Sequence, residues 1–521
     1  MAGDIDLSRR AFLALGATVL VAACTRDDAG TAGPADTKAG GADPPPTTSP
    51  SGSSGAVPAI DLATDPFTLG VASGDPDATS VVLWTRLTGD GLPDDVAVTW
   101  EVSTDEAFAT VDAAGTTAAA AADGHSVHVT VALDGPTRYR FRAGGFTSPV
   151  GWAAPSPPPG TGELRLATAS CQHWETGYYA AHRDLAEWRP DAVVFLGDFI
   201  YEGGSRPLGD GRVRSHEGAE PEDLTSYRGR YAQYLADRDL QAARAACPWL
   251  VIWDDHEVED DYAGLEPKNP ARREGFAAKR DAAYRAWWEH MPVRLPAPVA
   301  GEPYIAYRTV SLGALADVIL LDGRQFRSDQ ACGDATFSLE PACAEAAVPD
   351  RTMLGADQEA WVGDELAAAR AHWTVLGQQT VLADLRLPNG AVVNEDQWDG
   401  YAPARDRLLA QAATAERVVV LTGDIHLAAV ARLPGVGTEL VTTSISSNGR
   451  GGALEQTLLS LFPDVVGAEL PHRGYTRHVV TVDDWTAEFR TVDDVANPDS
   501  TVSTWQTFRL DATMPDQPHG L

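Results

Sequence analysis

The hydrophobic pattern of this chain changes character near Leu164. Beyond that point unbroken apolar runs recur: AVVFLGD, WLVIWDDHE, DVILLDGRQ, HWTVLGQQ, RVVVLTGDIH and ELVTTSISSNG. An apolar run bounded by polar residues predicts a strand buried on both faces, with helices covering it. The stretches LTSYRGRYAQYLADRDLQAARAA and AKRDAAYRAWWEHM lie between such runs and predict helices. The pattern therefore predicts an α/β domain over residues 161–521, with no internal repeat. From Phe67 to about Pro159 the texture differs. SVVLWTRL, VAVTWEVS, HSVHVTVALD and TRYRFRAGG are short, partly alternating, and rich in Val, Thr, Trp and Tyr. Turn residues such as Asp75-Pro76 and Gly135-Pro136 separate them. This predicts a smaller all-β sandwich over residues 64–160, joined to the rest through SPPPGTG.

The N-terminus changes the expected compartment. SRRAFLALGATVLVAAC pairs Arg9 and Arg10 with an apolar stretch from Ala11 to Ala23, too short to remain as a membrane-spanning helix. Residues 1–24 resemble a twin-arginine export signal, and VAAC resembles a lipobox that would make Cys24 a lipidated N-terminus. Such a chain would be extracellular or anchored to the cell envelope, with a membrane tether through Cys24; cleavage nearby and free secretion is the alternative. Residues 25–63 are mostly Gly, Pro, Ser, Thr, Ala and Asp, a composition that predicts a disordered linker. The formal net charge of −34 argues against nucleic acid as a partner, because polyanion binding needs Lys and Arg to displace counterions. Anionic substrates stay open if metal ions reverse the field locally.

Five cysteines occur in 521 residues. Cys332 and Cys343 share one loop and predict a local disulfide. Cys247 precedes a buried-looking strand and reads as a core filler. Cys171 ends the run RLATASC without an obvious partner, so a disulfide, a filler and a metal ligand all remain open for it.

The candidate chemistry gathers where apolar runs end. LGDFIY supplies Asp198 and Tyr201; WDDHEVEDD supplies Asp254, Asp255, His256 and Glu257; TGDIH supplies Asp424 and His426. In open α/β sheets ligands bind outside the carboxyl ends of strands, so these distant residues are expected in one crevice. Carboxylate, imidazole, phenol and thiol together are metal-ligand chemistry. Singly, each has a plainer reading: a strand-end Asp often caps a helix, and a lone His is often structural. The acidic run Glu257 to Asp261 reads most simply as a solvated helix start, though Asp260 or Asp261 could support the site.

FTLGVASGDPDATSVVLWTRL, SCQ…GYY, LGDFIYE, WDDHEV, RTMLGADQEAW and LTGDIHLAAV, in that order, resemble the signatures of the PhoD-type alkaline phosphatase and phosphodiesterase family. The resemblance covers nearly everything from Phe67 onward. It implies an α/β, layered metallophosphatase-like sandwich preceded by the smaller β-sandwich, which would hold no catalytic group. It implies an exported hydrolase of phosphate mono- or diesters, expected to be a monomer, with a metal-activated hydroxide as nucleophile. Cys171, Asp198, Tyr201 and His426 would hold Fe3+; Asp198, Asp255 and Asp424 would hold Ca2+, with Asp198 bridging. His256 would protonate the leaving oxygen, and Arg214, in GRVRSHEG, would grip the phosphate. His173 stands where family members often carry Asn, which fits a supporting donor. Two alternatives remain: a phospholipase D-like diesterase acting on lipid head groups, and a non-catalytic, surface-tethered binding protein.

Overall fold

The computed structural model describes residues 61–333, 340–449, 459 and 461–521. The paired arginines, Cys24 and the linker as far as residue 60 lie outside the described residues. Leu62 already belongs to the folded part, because its N–H donates to the Gly144 carbonyl at 3.1 Å and its side chain packs on the β core.

Each apolar run forms a strand. Leu164–Ala169, Ala192–Leu196 and Pro248–Ile252 are parallel neighbours in one sheet. Ala316–Leu320, Trp373–Gly377, Val418–Thr422 and Gly437–Val441 are parallel neighbours in a second. The alternation of side chains along a strand then sorts the second sheet's residues between two cores. Val318, Leu320, Val375, Val419 and Leu421 join the cluster that holds Val194 and Leu196 of the first sheet. Ile319, Leu376, Val418 and Val420 pack instead with Val362, Leu366, Ala404 and Leu408, from the helices Gly355–Ala368 and Ala402–Ala412. The helices Leu224–Leu235, Arg238–Ala246 and Arg273–His290 bury Tyr231, Leu240 and Trp287 in the first cluster. The order of layers is helix, sheet, sheet, helix. Continuous apolar runs result because both faces of these strands are covered.

Residues 64–160 do form two facing sheets around one apolar cluster that includes Val71, Leu83, Val98 and Phe141. One of those sheets is shared, however. Val71–Gly74 pairs in parallel with Pro248–Ile252, and Ser80–Arg86 and Ser126–Ala132 extend the same ten-stranded sheet. The other sheet is built on Asp95–Ser103, Ala113–Ala120 and Thr137–Ala143. The expected boundary near residue 160 is thus a boundary in sequence that the hydrogen-bond ladder crosses. Trp84 reinforces the crossing: it is fully buried, its Nε1–H donates to the Glu289 carbonyl at 3.0 Å, and the Arg244 guanidinium lies 4.7 Å from its ring.

The C-terminal strands Asp484–Val492, Val502–Asp511 and Met514–Gly520 complete the other edge of that sheet. Thr438, at the start of Gly437–Val441, donates its hydroxyl to the Pro515 carbonyl at 2.6 Å. The last strand therefore sits at the end of the second sheet opposite to the carboxyl ends of its parallel strands.

Because Trp84 fills the junction, Trp84→Ala is expected to cost about 3–5 kcal/mol of stability. Chemical denaturation should show a lowered midpoint and one cooperative transition. Two separated transitions would mean that residues 64–160 unfold independently.

Candidate metal centre

The loops that follow five parallel strands converge. Cys171, Asp198, Asp254 with Asp255, Arg324, and Asp424 with His426 follow Ala169, Leu196, Ile252, Leu320 and Thr422 respectively. Two glycines permit this convergence. A Cβ on Gly197, where φ is 94°, would lie 2.4 Å from Asp254 Cβ. One on Gly423 would lie 2.4 Å from Ser170 Oγ, which is where the loops of the two sheets touch.

Four candidate ligands have left-handed backbone: Cys171 (φ 58°), Asp198 (57°), Asp424 (64°) and His426 (58°). Non-glycine residues seldom occupy this region, and such strain persists where surrounding contacts over-determine it. Those contacts are visible here. Cys171 N–H donates to the Gly197 carbonyl at 3.2 Å, and the Cys171 carbonyl accepts from Ser447 Oγ at 2.7 Å. Glu257, fully buried, accepts the N–H groups of Asp198, Phe199 and Asp254 at 3.0, 2.5 and 2.8 Å.

Among the described residues the donor atoms fall into four overlapping groups, each with atoms within 4.8 Å of one another: Cys171, Asp198 and His426; Asp198, Asp255 and His256; Asp198, Asp254, Asp255 and Asp424; and Asp255, Asp260 and Asp261. Asp198 belongs to three of them. Its Oδ2 accepts from the Tyr201 hydroxyl at 2.8 Å, while its Oδ1 is buried without a hydrogen-bond partner. Tyr201 Oη also lies 3.2 Å from His426 Nε2. His426 Nδ1 faces the Asn448 carbonyl at 2.7 Å, so Nδ1 carries the proton and the Nε2 lone pair points at the centre. An orphaned bridging oxygen, between a sulfur–nitrogen–oxygen set and an all-oxygen set, fits a transition metal beside a hard cation.

Burial pushes the Asp198 carboxyl well up, and Asp424 up to about 7. It pushes the Cys171 thiol up too, helped by Asp198. Asp255 differs: burial acts against its ionised form, but Arg324 and His256 outweigh it and hold the carboxyl low. Cations reverse the effect of burial and favour the ionised ligands.

Sequence reasoning missed Arg324. It is fully buried, with Nε 2.5 Å from Asp254 Oδ1, Nη1 2.8 Å from Asp396 Oδ1, and Nη2 3.8 and 3.9 Å from Asp255 and Asp424. The signal was its place just after the run DVILL, the position that yields acids elsewhere. Gln397, whose Nε2 donates to Asp424 Oδ2 at 2.5 Å, carries no such signal.

Two expectations need correction. Arg214 does not reach the centre. Its guanidinium bonds Asp237 at 2.8 Å, the Trp174 carbonyl at 2.9 Å and the Gly177 carbonyl at 2.5 Å, and it lies 3.7 Å over the Trp174 ring. Each of its three nitrogens donates to a partner inside the fold. Arg206, on the same loop, lines a cavity of about 520 Å³ with His173, Tyr201 and His256, and no ion pair engages it among the described residues. The acidic run after His256 is likewise no solvated helix. It forms turns, with Glu257 bound to backbone as above and Glu259 buried against Lys279 at 2.8 Å.

The remaining candidates have clear places. His173 is mostly buried, lies with its ring centroid 4.3 Å from that of Tyr201 and tilted by 52° to it, and accepts the Glu175 N–H on Nδ1 at 3.1 Å. Asp261 gives its N–H to Asp255 Oδ2 at 2.6 Å, and Asp260 gives its own to Glu202 Oε1 at 2.9 Å. Cys332 and Cys343 are joined by a disulfide. Cys247 is a buried free thiol.

The raised carboxyls set a pH dependence for metal-free protein. Between the ordinary Asp value of 3.8 and about 7, folded Asp424 keeps a proton that the unfolded chain releases. Glu257 behaves alike up to about 7, through burial. Stability must then fall as pH rises through this window. Thermal melts of metal-stripped protein should show the midpoint dropping from pH 5 to pH 8, and added Ca2+ should reverse the drop. A midpoint that rises over the same interval would contradict it.

The family model described as PhoD-like phosphatase matches residues 166–489, and that of the PhoD-like phosphatase N-terminal domain matches 53–157. Alkaline phosphatase D of Bacillus subtilis (strain 168) is 40% identical over 476 residues, covering 85% of this chain and 80% of its own. The solved structure of PhoD superposes with a TM-score of 0.84 at 39% identity, covering 89% of this chain and 93% of that one. The purple acid phosphatase PPD1 of yellow lupin (Lupinus luteus) shares the fold, with a TM-score of 0.52 at 11% identity over 85% of this chain and 73% of its own. Fold, order of motifs and extent of match together establish that this chain belongs to the PhoD-like phosphatase family.

Proposed function

We propose that this phosphoric ester hydrolase works at a mixed centre, with Cys171, Asp198, Tyr201 and His426 as ligands of Fe3+ and Asp198, Asp255 and Asp424 as ligands of Ca2+. The observation that carries the reading is Asp198, a buried carboxylate shared by the group with Cys171 and His426 and the group with Asp255 and Asp424, with one oxygen unpartnered. Bound there, the ions would supply Lewis acidity toward the phosphoryl oxygens and lower the pKa of a water. The protein's own residues do the rest. Arg206 offers a fork of N–H donors to the phosphoryl oxygens from the cavity wall, the role that Arg214 cannot fill. His256, beside Asp198 and Asp255 and against the Tyr201 ring, hands a proton to the leaving oxygen. Asp254 and Arg324 brace the ligand loops from below. A complete donor set disfavours the non-catalytic binding protein. A preference for lipid head groups has no specific observation in its favour.

Export also belongs to this proposal. Arg9 and Arg10 with the following apolar stretch suit the twin-arginine route, and Cys24 suits a lipid anchor in the envelope, the folded part acting as a monomer. Cell fractionation of the full chain reads this out, since activity confined to the cytosol would refute it.

Cys171→Ala is expected to lose iron and activity together, with stability lowered only modestly, because one small side chain at a strand mouth buries little apolar area. Cys171→Asp should retain more of both, since a carboxylate restores an anionic donor. Elemental analysis and turnover of purified protein check this; an alanine variant with stoichiometric iron and full turnover would return Cys171 to the fillers. Visible absorption from phenolate-to-iron charge transfer should vanish in Tyr201→Phe.

Arg206→Ala should lower kcat/KM by about 10- to 100-fold, the loss of one charge-assisted hydrogen-bonding side chain. Arg214→Ala should act through stability instead, seen as a lowered melting temperature. Equal kinetic effects without any change in melting would reverse the two assignments.

A further inference from the structure

Both the backbone and the ring of His173 are fixed. Its N–H donates to Ser447 Oγ at 3.1 Å, and its carbonyl accepts from Ser446 Oγ at 3.0 Å. Its ring centroid lies 4.3 Å from that of Tyr201 and 5.3 Å from that of His216. The Glu175 N–H donates to Nδ1 at 3.1 Å. A backbone amide only donates, so Nδ1 bears no proton, the ring is neutral, and its one N–H is at Nε2. Among the described residues Nε2 has no hydrogen-bond partner, and the ring lines the cavity of about 520 Å³ with Tyr201, Arg206 and His256. Glu175 also anchors the cavity's unengaged arginine. It is buried, and its Oε1 accepts the Arg206 N–H at 3.2 Å. One residue therefore fastens the His173 ring through its backbone and the Arg206 backbone through its side chain.

We propose that His173 is a phosphoryl-binding residue, whose neutral Nε2–H donates a hydrogen bond to a non-bridging oxygen of the phosphate in this cavity, alongside Arg206. The inference rests on the reading of the cavity as the phosphoester site. The ring transfers no proton, because giving up the one on Nε2 would leave an imidazolate, and Nδ1 is already taken by the Glu175 N–H. His173 thus differs in kind from His256: it binds and orients, and its bond persists from substrate to product. A hydrogen bond from a neutral donor to a charged oxygen is also among the stronger ones, and the donor brings no charge that would repel bound cations. Phosphate affinity is therefore the quantity that His173 sets.

The test uses the metal-loaded full chain and inorganic phosphate, with binding measured by calorimetry and metal content by elemental analysis. Two variants separate the two ring nitrogens. His173→Asn keeps an acceptor for the Glu175 N–H, but its amide stops short of the place of Nε2. His173→Gln carries an amide N–H as far out as Nε2, but puts no acceptor at the place of Nδ1. His173→Asn should weaken phosphate binding by about 10- to 100-fold, with melting temperature, iron and calcium unchanged. His173→Gln should stay within about threefold of the unaltered chain, because the donor is restored. If His173→Asn binds phosphate normally and His173→Gln does not, the residue only caps the turn at Glu175 and the inference falls. It falls equally if both variants weaken binding to the same extent, if neither does, or if His173→Asn loses metal. Phosphate that binds the metal-stripped chain as tightly as the loaded one would show that the cavity is not the phosphoester site, and the reading beneath this inference would fall with it.

Discussion

Like charge held together in a buried place is the constraint on which the centre depends. Asp198, Asp254, Asp255 and Asp424 bring carboxylate oxygens within 4.8 Å of one another, inside the fold. At an effective dielectric near 20, two like charges about 4 Å apart repel by about 4 kcal/mol. Several such pairs would consume the roughly 5–15 kcal/mol that holds a domain folded. Among the described residues the permanent counter-charge is Arg324, whose guanidinium reaches Asp254 and Asp396 directly and lies near Asp255 and Asp424. One cation does not balance the set, and protons or metal ions must supply the remainder. That imbalance makes the cluster a site for cations rather than a satisfied ion-pair network.

The architecture exists to hold that arrangement against its own repulsion. Two parallel runs of strands deliver their carboxyl ends to one place, and the left-handed residues turn their side chains inward over very short connections. Glu257 fastens three of the backbone N–H groups involved, so a carboxylate outside the ligand set carries much of the geometry. The shared sheet extends this support outward. Val71–Gly74 completes the edge of Pro248–Ile252, the strand that leads into Asp254 and Asp255. The N-terminal module therefore holds one wall of the centre while contributing no donor to the ligand groups.

Above the ligands, the two ring walls of the cavity have different supports. Tyr201 is held by Asp198 and Ser447 on the ligand side. His256 is held by Glu202 on the other side. The two rings lie against each other, and both line the cavity that Arg206 also lines.

The strands were legible in the sequence because burial on both faces forces continuous apolar runs, and the ligand candidates were legible because they stand just beyond those runs. Cys332 and Cys343 were legible by proximity. The error over Arg214 has a physical source: a loop arginine and a buried, stacked arginine are the same letter, and only the positions of Trp174, Asp237 and Gly177 distinguish them. Glu257 misled for the same reason, since an acid amid acids looks solvated until the backbone N–H groups that it accepts are in view. Arg324 and Glu202 act through partners 70 and 54 residues away. The sequence by itself determined the strands, their order and the donor types at their ends, because these follow from local hydrophobic period and residue chemistry. Only the tertiary structure decided which charges neutralise one another, which arginine faces the cavity and where one sheet ends, because those depend on distances between segments that sequence spacing does not encode.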